Sequence, residues 1–153
     1  MNKNQSGFTL VELVVVILIL GILSATALPR FMNVSDQANS AAVDGAGGGL
    51  GAGVALAHAQ WIANNQAGAQ AAVANFGAGN VSVNASGWPI NINSTASTDC
   101  TNIWNNVMQN PPAIGTDYAA VLSAGSCVYT YQPVTTKNIT YNPTNGSVVV
   151  TNP

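Results

Sequence analysis

The stretch Gly7-Phe8-Thr9-Leu10-Val11-Glu12-Leu13, followed by apolar residues as far as Leu28, decides the architecture of this chain. The apolar run is long enough to cross the hydrocarbon core of a membrane, which takes about 20 residues of helix. Glu12 lies near its start, although a carboxylate at membrane depth costs roughly 2.5–3.5 kcal/mol or more. An acid in such a segment is a candidate functional residue by default.

The pattern Gly-Phe-Thr-Leu-x-Glu after a short polar leader resembles the processing site of type IV prepilins. The resemblance implies that a dedicated prepilin peptidase cuts between Gly7 and Phe8 and methylates the new N-terminus at Phe8. Residues 1–7 are then a leader, and Glu12 is the fifth residue of the mature chain, where the family keeps its glutamate. The resemblance also implies that Glu12 meets the α-amino group of Phe8 in a neighbouring subunit. A carboxylate that reaches the membrane interface without a partner is the alternative.

An ordinary secretory signal peptide is the competing interpretation of this N-terminus. Lys3, the apolar run and the small residues Ala25-Thr26-Ala27 fit such a signal and its cleavage site. Glu12 and the length of the run argue against it, because a signal core is shorter and carries no acid. The mass of the mature protein distinguishes the two, since the chain would begin at Leu28 in one case and at methylated Phe8 in the other.

The composition predicts one domain beyond the anchor and an uncharged surface. The chain has 153 residues, of which 5% are charged, against ~25% in an average soluble protein. Its surface must therefore be built from Asn, Ser, Thr, Gln, Ala and Gly. Removal of Lys3 with the leader would leave two basic and five acidic side chains, a net charge of −3. Without a basic cluster we expect no direct nucleic-acid binding.

Cys100 and Cys127 are the only cysteines, and they lie far beyond the apolar segment. An even pair in an exported chain is typical of a disulfide, which would stabilise a loop of this length by roughly 3–4 kcal/mol. Two free buried thiols are the alternative. One histidine with two distant cysteines lacks the ligand spacing of a zinc site. Asp99 and Asp117 are weak evidence for calcium because no run of spaced oxygen ligands accompanies them. We therefore predict no metal and no cofactor.

No catalytic pattern is visible, so we predict that the protein is not an enzyme. His58 is the only histidine and the only candidate base, and no Ser, Cys or acid set accompanies it. Trp61, Trp88 and Trp104 could stack on sugars, but their positions in helical and strand patterns favour a place in the core.

Residues 8–64 predict one long helix, with an anchor and filament core over 8–28 and an amphipathic half over 29–64. Pro29 removes a backbone donor, so we expect a kink or local melting near Ala25 to Pro29. Pilin filaments melt around a proline at the matching place; a proline that merely separates two helices is the alternative. The amphipathic half carries an apolar stripe at helical spacing, consisting of Val43, Leu50, Val54, Ala57 and Trp61.

The run from Gly45 to Gly53 conflicts with a rigid rod. Its six glycines would destabilise a helix by about 1 kcal/mol each relative to alanine. A close approach of helix to sheet or to a neighbouring subunit would explain them, and so would a compliant hinge. We favour close packing, and Gly48 and Gly49 are the residues at which alanine should distinguish the two.

The rest of the chain, residues 65–153, predicts a loop followed by a small antiparallel β-sheet head. Period-two alternation indicates a hairpin around Val81/Val83 and Ile90/Ile92. Ser97-Thr98-Asp99 can cap a short helix that Pro111-Pro112 stops. Further strands are predicted at Cys127–Tyr131, Ile139–Tyr141 and Val148–Val150. The predicted fold class is α+β, a long N-terminal helix packed on this sheet.

The order of head motifs looks like that of the mannose-sensitive haemagglutinin branch of type IVa pilins. It rests on Gly87-Trp88-Pro89, Cys100 before Ile103-Trp104, Cys127 near Tyr129, and a closing hairpin. The resemblance implies a subunit held in the bacterial inner membrane as a precursor and then polymerised with its own copies into a surface filament for attachment. Its partners would be the prepilin peptidase, an assembly platform and ATPases. A pseudopilin of a type II secretion system and a glycan-binding minor pilin are the alternatives.

Overall fold

The structure is a computed structural model that describes residues 8–90 and 97–153, with the backbone alone described at Pro29, at 32–33 and at 97–99. The predicted leader, Gly7 and Ile92 lie outside the described residues. The chain divides into two compact units, Met1–Ala38 and Asn39–Pro153. The elements are α1 (Leu10–Ala63), β1 (Ser82–Val83), β2 (Pro89–Ile90), α2 (Ser97–Val107), β3 (Tyr118–Ser123), β4 (Ser126–Tyr131), β5 (Asn138–Asn142) and β6 (Ser147–Thr151). These elements confirm the predicted α+β fold.

Helix α1 confirms the predicted long helix, since its 54 residues run from Leu10 to Ala63. Pro29 lies inside it and the helical assignment does not break there. The local melting expected near Ala25 to Pro29 is therefore absent from the single subunit. One proline removes one N–H donor, and the remaining i to i+4 bonds keep the turn helical. Melting of this region in a filament stays a prediction.

The head-side face of α1 is the apolar stripe that the sequence predicts. Val43, Leu50, Val54 and Ala57 are buried, and Trp61 is half-buried. The residues recur at intervals of seven, four, three and four, so one face of the helix enters the core while the opposite face is exposed.

The head is an antiparallel sheet with strand order β3-β4-β5-β6. Strands β4, β5 and β6 match the predictions, whereas β3 was not predicted. Its inward side chains form the core together with α1 and α2, and the buried ones are Tyr118, Cys127, Tyr129, Ile139 and Tyr141. Strand β3 pairs with β4 from Tyr118↔Tyr131 to Ser123↔Ser126. The two-residue turn between them, Ala124-Gly125, has φ of 48° and 77°, as primed hairpin turns require.

Helix α2 packs over the β3 side of the sheet and is tied to it covalently. Cys100 in α2 and Cys127 in β4 form a disulfide, which confirms the predicted pair. The hydroxyl of Tyr129 donates to the carbonyl of Cys100 at 2.9 Å. Trp104 is fully buried, with ring centroids 4.5 Å from Tyr129. The helix begins at Ser97 itself, so the three residues predicted to precede it form its first turn.

The hairpin β1–β2 is a two-stranded sheet that follows an irregular loop, as predicted. Asn84 holds its turn, because its side-chain oxygen accepts from the amides of Ser86 and Trp88 at 2.9 and 3.0 Å. The Asn84 amide also donates to the carbonyl of Pro143 at 2.6 Å. The hairpin is thereby fixed to the turn between β5 and β6.

The glycine run is helical throughout and packs closely at two of its six glycines. A Cβ built on Gly47 would overlap Val150 Cγ2 in β6, and one built on Gly53 would overlap the carbonyl of Val107 in α2. These contacts support close packing. A Cβ on Gly48, in contrast, would meet nothing within 4 Å, and at Gly49 it would lie 3.5 Å from the sulfur of Met108. The tight residues are therefore not the pair that the sequence singled out.

Candidate assembly surface

The apolar N-terminal segment is uncovered in the subunit. Residues Leu10–Leu28 form one candidate membrane span of 19 residues with a mean hydropathy of 2.6, and none of this span is buried. Leu13, Ile17 and Leu20 are each more than half exposed. So large an exposed apolar surface requires a membrane or another protein around it.

Glu12 closes the start of α1 onto Thr9. The Thr9 amide and hydroxyl each donate to Glu12 Oε2 at 2.8 Å, and the Glu12 amide donates to the Thr9 hydroxyl at 3.3 Å. This reciprocal arrangement is a capping box, in which a threonine at the N-cap pairs with an acid three residues on. The capping role of Thr9 was not predicted, although Thr-x-x-Glu before an apolar run is the sequence signature of a capping box. Glu12 therefore has a partner inside its own chain.

The outward face of α1 in the head consists of small residues. They recur at intervals of four and three, are all exposed, and form what we call the outer stripe: Ala41, Gly45, Gly48, Ala52, Ala55 and Ala59. This spacing places them along one line of the helix. A Cβ on Gly45 or Gly48 would meet nothing within 4 Å, so the fold of the head does not require glycine at either position.

A shallow groove of about 340 Å³ runs beside the outer stripe. Its floor is α1 at Ala41, Gly45 and Gly49, and its far wall is Met108 with Pro111-Pro112. No charged side chain lines it. The groove and stripe together offer a smooth, uncharged surface that another apolar helix could approach closely.

The tryptophans are engaged in internal packing. Trp104 is buried and its Nε1 donates to the carbonyl of Pro112 at 2.9 Å. Trp88 stacks on His58 with ring centroids 3.9 Å apart and planes at 11°, and the Trp61 ring is also stacked with His58, with centroids 5.8 Å apart and planes at 19°. A Cβ on Gly87 would overlap the Trp61 ring and lie 2.9 Å from His58 Nδ1. His58 is thus part of an aromatic stack.

The candidate calcium ligands do not assemble in the described part of the chain. Asp117 Oδ2 accepts from the amide of Ala113 at 2.9 Å, while the Asp99 side chain lies outside the description. Among the residues that the structure describes, no three His, Cys, Asp or Glu side chains lie together as a metal site would require.

The head core contains tyrosines whose ionisation is suppressed. Burial, with smaller contributions from Tyr131 and Asp117, raises the pKa of Tyr118 to about 12. Burial likewise raises the pKa values of Tyr129 and Tyr141. The hydroxyl of Tyr118 is buried and has no hydrogen-bond partner among the described residues.

Comparisons with known proteins match the N-terminal signature. Residues 2–28 match the model of the prokaryotic N-terminal methylation motif. The chain is 47% identical over 57 residues to the type IV narrow pilus major component PilA5 of Thermus thermophilus, covering 37% of this chain and 49% of that protein. It is 44% identical over 68 residues to a fimbrial protein of Neisseria meningitidis serogroup A, covering 42% of this chain and 40% of that protein. It is 54% identical over 37 residues to type II secretion system core protein G of Pseudomonas aeruginosa, covering 24% of this chain and 26% of that protein.

The fold and these similarities define a protein with an apolar N-terminal helix, a methylation motif and an α+β head. The N-terminal methylation motif and the partial similarity to named pilins support a type IV pilin family. The chain spans about half or less of the length of these relatives. No solved structure matches it. The finer resemblance to the mannose-sensitive haemagglutinin branch stays a prediction.

Proposed function

We propose that this protein is a structural subunit of a type IV pilus, which polymerises with copies of itself through the apolar half of α1. The observation that carries the proposal is an apolar span with no cover, Leu10–Leu28, on a chain with the methylation motif. A soluble monomer would not keep such a segment in water. The proposed role is structural and not enzymatic.

The same segment serves in two places in this scheme. In the precursor it holds the protein in the bacterial inner membrane, with the leader and Lys3 on the cytoplasmic side. The prepilin peptidase then cuts between Gly7 and Phe8 and methylates Phe8. The freed helix leaves the bilayer and packs among its copies, stabilised by burial at about 25 cal/mol per Å² of apolar surface. Contacts that are not self-closing repeat into a helical polymer, and Pro29 marks where α1 would melt to fit it.

The outer stripe is the surface against which a neighbouring helix would pack. Gly45 and Gly48 each destabilise a helix by about 1 kcal/mol relative to alanine, and no contact among the described residues accounts for them. Close approach of a second helix would account for them, because glycine lets two backbones come together. The groove bounded by Met108 and Pro111-Pro112 extends this surface.

Glu12 has a second role in the proposed filament. Its capping bond to Thr9 satisfies the carboxylate within the chain, yet the negative charge is still uncompensated. Cleavage creates a positive α-amino group at Phe8, and a neighbour's amine would neutralise Glu12 where the two helices pack. The pairing would thus begin only after processing.

The heads must be joined mainly by uncharged contacts. Lys137 is buried, and no other basic residue follows Arg30 in the sequence. Salt bridges between heads are therefore scarce, and amide and hydroxyl side chains must make the contacts. The same lack of basic residues argues against direct binding of nucleic acid. The assembly platform and its ATPases are the partners that this scheme requires.

A pseudopilin of a type II secretion system is the second candidate, because the chain resembles core protein G over 37 residues. The disulfide between Cys100 and Cys127 favours the pilus, since the pilins that the head resembles close their C-terminal region in this way. A glycan-binding minor pilin has less support, because Trp104 is buried and Trp61 and Trp88 are half-buried and stacked with His58.

Deletion of the gene tests the proposal. We expect loss of surface filaments from sheared cells, normal secretion of exoproteins, and recovery of fibres with a plasmid copy. Unchanged fibres with blocked exoprotein secretion would instead identify a pseudopilin. Fibres that persist but no longer attach would identify a minor adhesive subunit.

A further inference from the structure

Lys137 is the one buried charged side chain among the described residues of the head, with 1% of its surface exposed. It precedes β5 and lies across from the segment that follows β6, since Asn138 pairs with Thr151. A buried ammonium is costly unless hydrogen bonds and charge compensate it. The position therefore implies a specific task for this lysine.

The ammonium joins the C-terminal segment to the first turn of α1 in the head. Its Nζ donates to Ser40 Oγ at 3.0 Å, to Asn152 Oδ1 at 2.9 Å and to the Pro153 carbonyl at 3.1 Å. Asn152 then donates to the Ser40 carbonyl at 3.1 Å and to Asp44 Oδ1 at 3.2 Å. We call this set of five hydrogen bonds the Lys137 clamp.

The clamp lies at a mechanically significant place. The compact unit of the head begins at Asn39, and the clamp grips Ser40 and Asp44 immediately before the glycine run Gly45–Gly53. That run is the weakest helical segment by propensity, since each glycine destabilises it by about 1 kcal/mol. If α1 were not attached to the head before Gly45, tension applied through its N-terminal half would act first on the glycine run.

We propose that the Lys137 clamp is a latch that transmits tension between α1 and the sheet. It passes tension from α1 at Ser40 and Asp44 into strands β5 and β6, and so keeps Gly45–Gly53 helical. Without it, apolar packing such as Gly47 against Val150 and the long hydrogen bond from the Tyr131 hydroxyl to Asn39 Oδ1, at 3.4 Å, would hold this part of the helix to the head. The latch itself is a property of the subunit, whereas the tension it carries rests on the proposed filament function.

Hydrogen exchange of the mature full-length protein in detergent micelles tests the latch without any filament. Lys137→Met keeps a long unbranched side chain, one atom shorter, and removes its hydrogen-bond donors. We expect amides in residues 39–53 to exchange at least about tenfold faster, the effect of losing roughly one stabilising network contact, while peptides from the disulfide-linked region keep their rates. Val83→Ala is the control. Because it leaves a cavity in the buried hairpin, it should accelerate exchange throughout the head.

Unchanged exchange in residues 39–53, or acceleration spread evenly over the head, would overturn the latch. If Lys137→Met does not fold, Asn152→Ala removes one acceptor of the ammonium and both bonds from Asn152 to α1, while the bond from Lys137 to Ser40 remains. Acceleration of exchange in the same residues is expected. Where filaments form, single-fibre pulling supplies the second arm: Lys137→Met fibres should extend at lower force. Equal forces would overturn load transfer and leave the filament function standing.

Discussion

Gly53 of α1 lies directly against the backbone carbonyl of Val107 at the end of α2, so closely that a side chain on Gly53 would overlap it. Five residues earlier, Gly48 has open space around its Cα. The glycines of this run thus lie on two surfaces of α1, with Gly53 facing the core and Gly48 facing outward.

Gly53→Ala should destabilise the head by about 1–3 kcal/mol, because the added methyl forces α1 and α2 apart. Gly48→Ala is the matched control and should stabilise the monomer by up to about 1 kcal/mol through helix propensity. Thermal unfolding of the mature protein in detergent measures both. Equal effects of the two substitutions would show that the run is a hinge and not a packing surface.

The outer stripe predicts an assembly defect without a folding defect. Gly45→Leu should leave the melting temperature of the monomer unchanged or higher, since nothing lies near that Cβ. In cells it should reduce the yield of sheared fibres severalfold, because a bulky side chain keeps a neighbouring helix away. Asn105→Leu, exposed on α2, controls for added surface apolarity. A normal fibre yield from Gly45→Leu would exclude the stripe from the interface.

Glu12 can be separated from its capping role by two substitutions. Glu12→Gln keeps a side chain that can bond to the Thr9 amide but removes the charge, and Thr9→Ala removes the cap but keeps the charge. If Glu12 pairs with the Phe8 amine of a neighbour, Glu12→Gln should lose most fibres and Thr9→Ala should retain them. The opposite order, measured on sheared fibres at equal protein levels, would make capping the function of Glu12.

The buried tyrosines predict an alkaline limit to stability. The pKa of Tyr118 is about 12 in the folded head and about 10 in an unfolded chain. The folded state therefore holds its proton more tightly, so this stabilisation is complete below pH ~10 and is lost as the pH rises towards 12. Urea unfolding of the head between pH 8 and 12 should show a falling midpoint.

Tyr118→Phe should flatten this pH dependence and stabilise the head at pH 7 by about 1 kcal/mol, because the hydroxyl is buried without a partner. Tyr129→Phe is its counterpart. It removes a hydroxyl that donates to the Cys100 carbonyl and should destabilise by a similar amount. A loss of stability in Tyr118→Phe would mean that its hydroxyl is hydrogen-bonded in solution.

Much of this architecture follows from residue patterns in the sequence. The stripe from Val43 to Ala57 has helical spacing, and apolar residues alternate in the strands around Ile139 and Val149. With only two cysteines in the chain, each has one candidate disulfide partner. Strand β3 was missed because Tyr118-Ala-Ala-Val-Leu-Ser has no clean alternation, and its turn places Ala124 at a positive φ where Asn or Gly is usual.

Other features depend on contacts between distant parts of the chain. No local pattern indicates that Gly47 and Gly53 are the tightly packed glycines. The residues that they contact, Val150 in β6 and Val107 in α2, are distant in sequence. The clamp of Lys137 is invisible for the same reason, because it joins Ser40 and Asn152 across 112 residues of sequence. The Thr9–Glu12 capping box is local and could have been predicted.

The decisive measurement is the mass and N-terminus of the protein in purified surface fibres. For a pilus subunit we expect fibres built mainly of this chain, with every copy beginning at N-methylated Phe8 and carrying the Cys100–Cys127 disulfide. A chain that begins at Leu28, or that is found only in soluble form with the apolar segment removed, would contradict it.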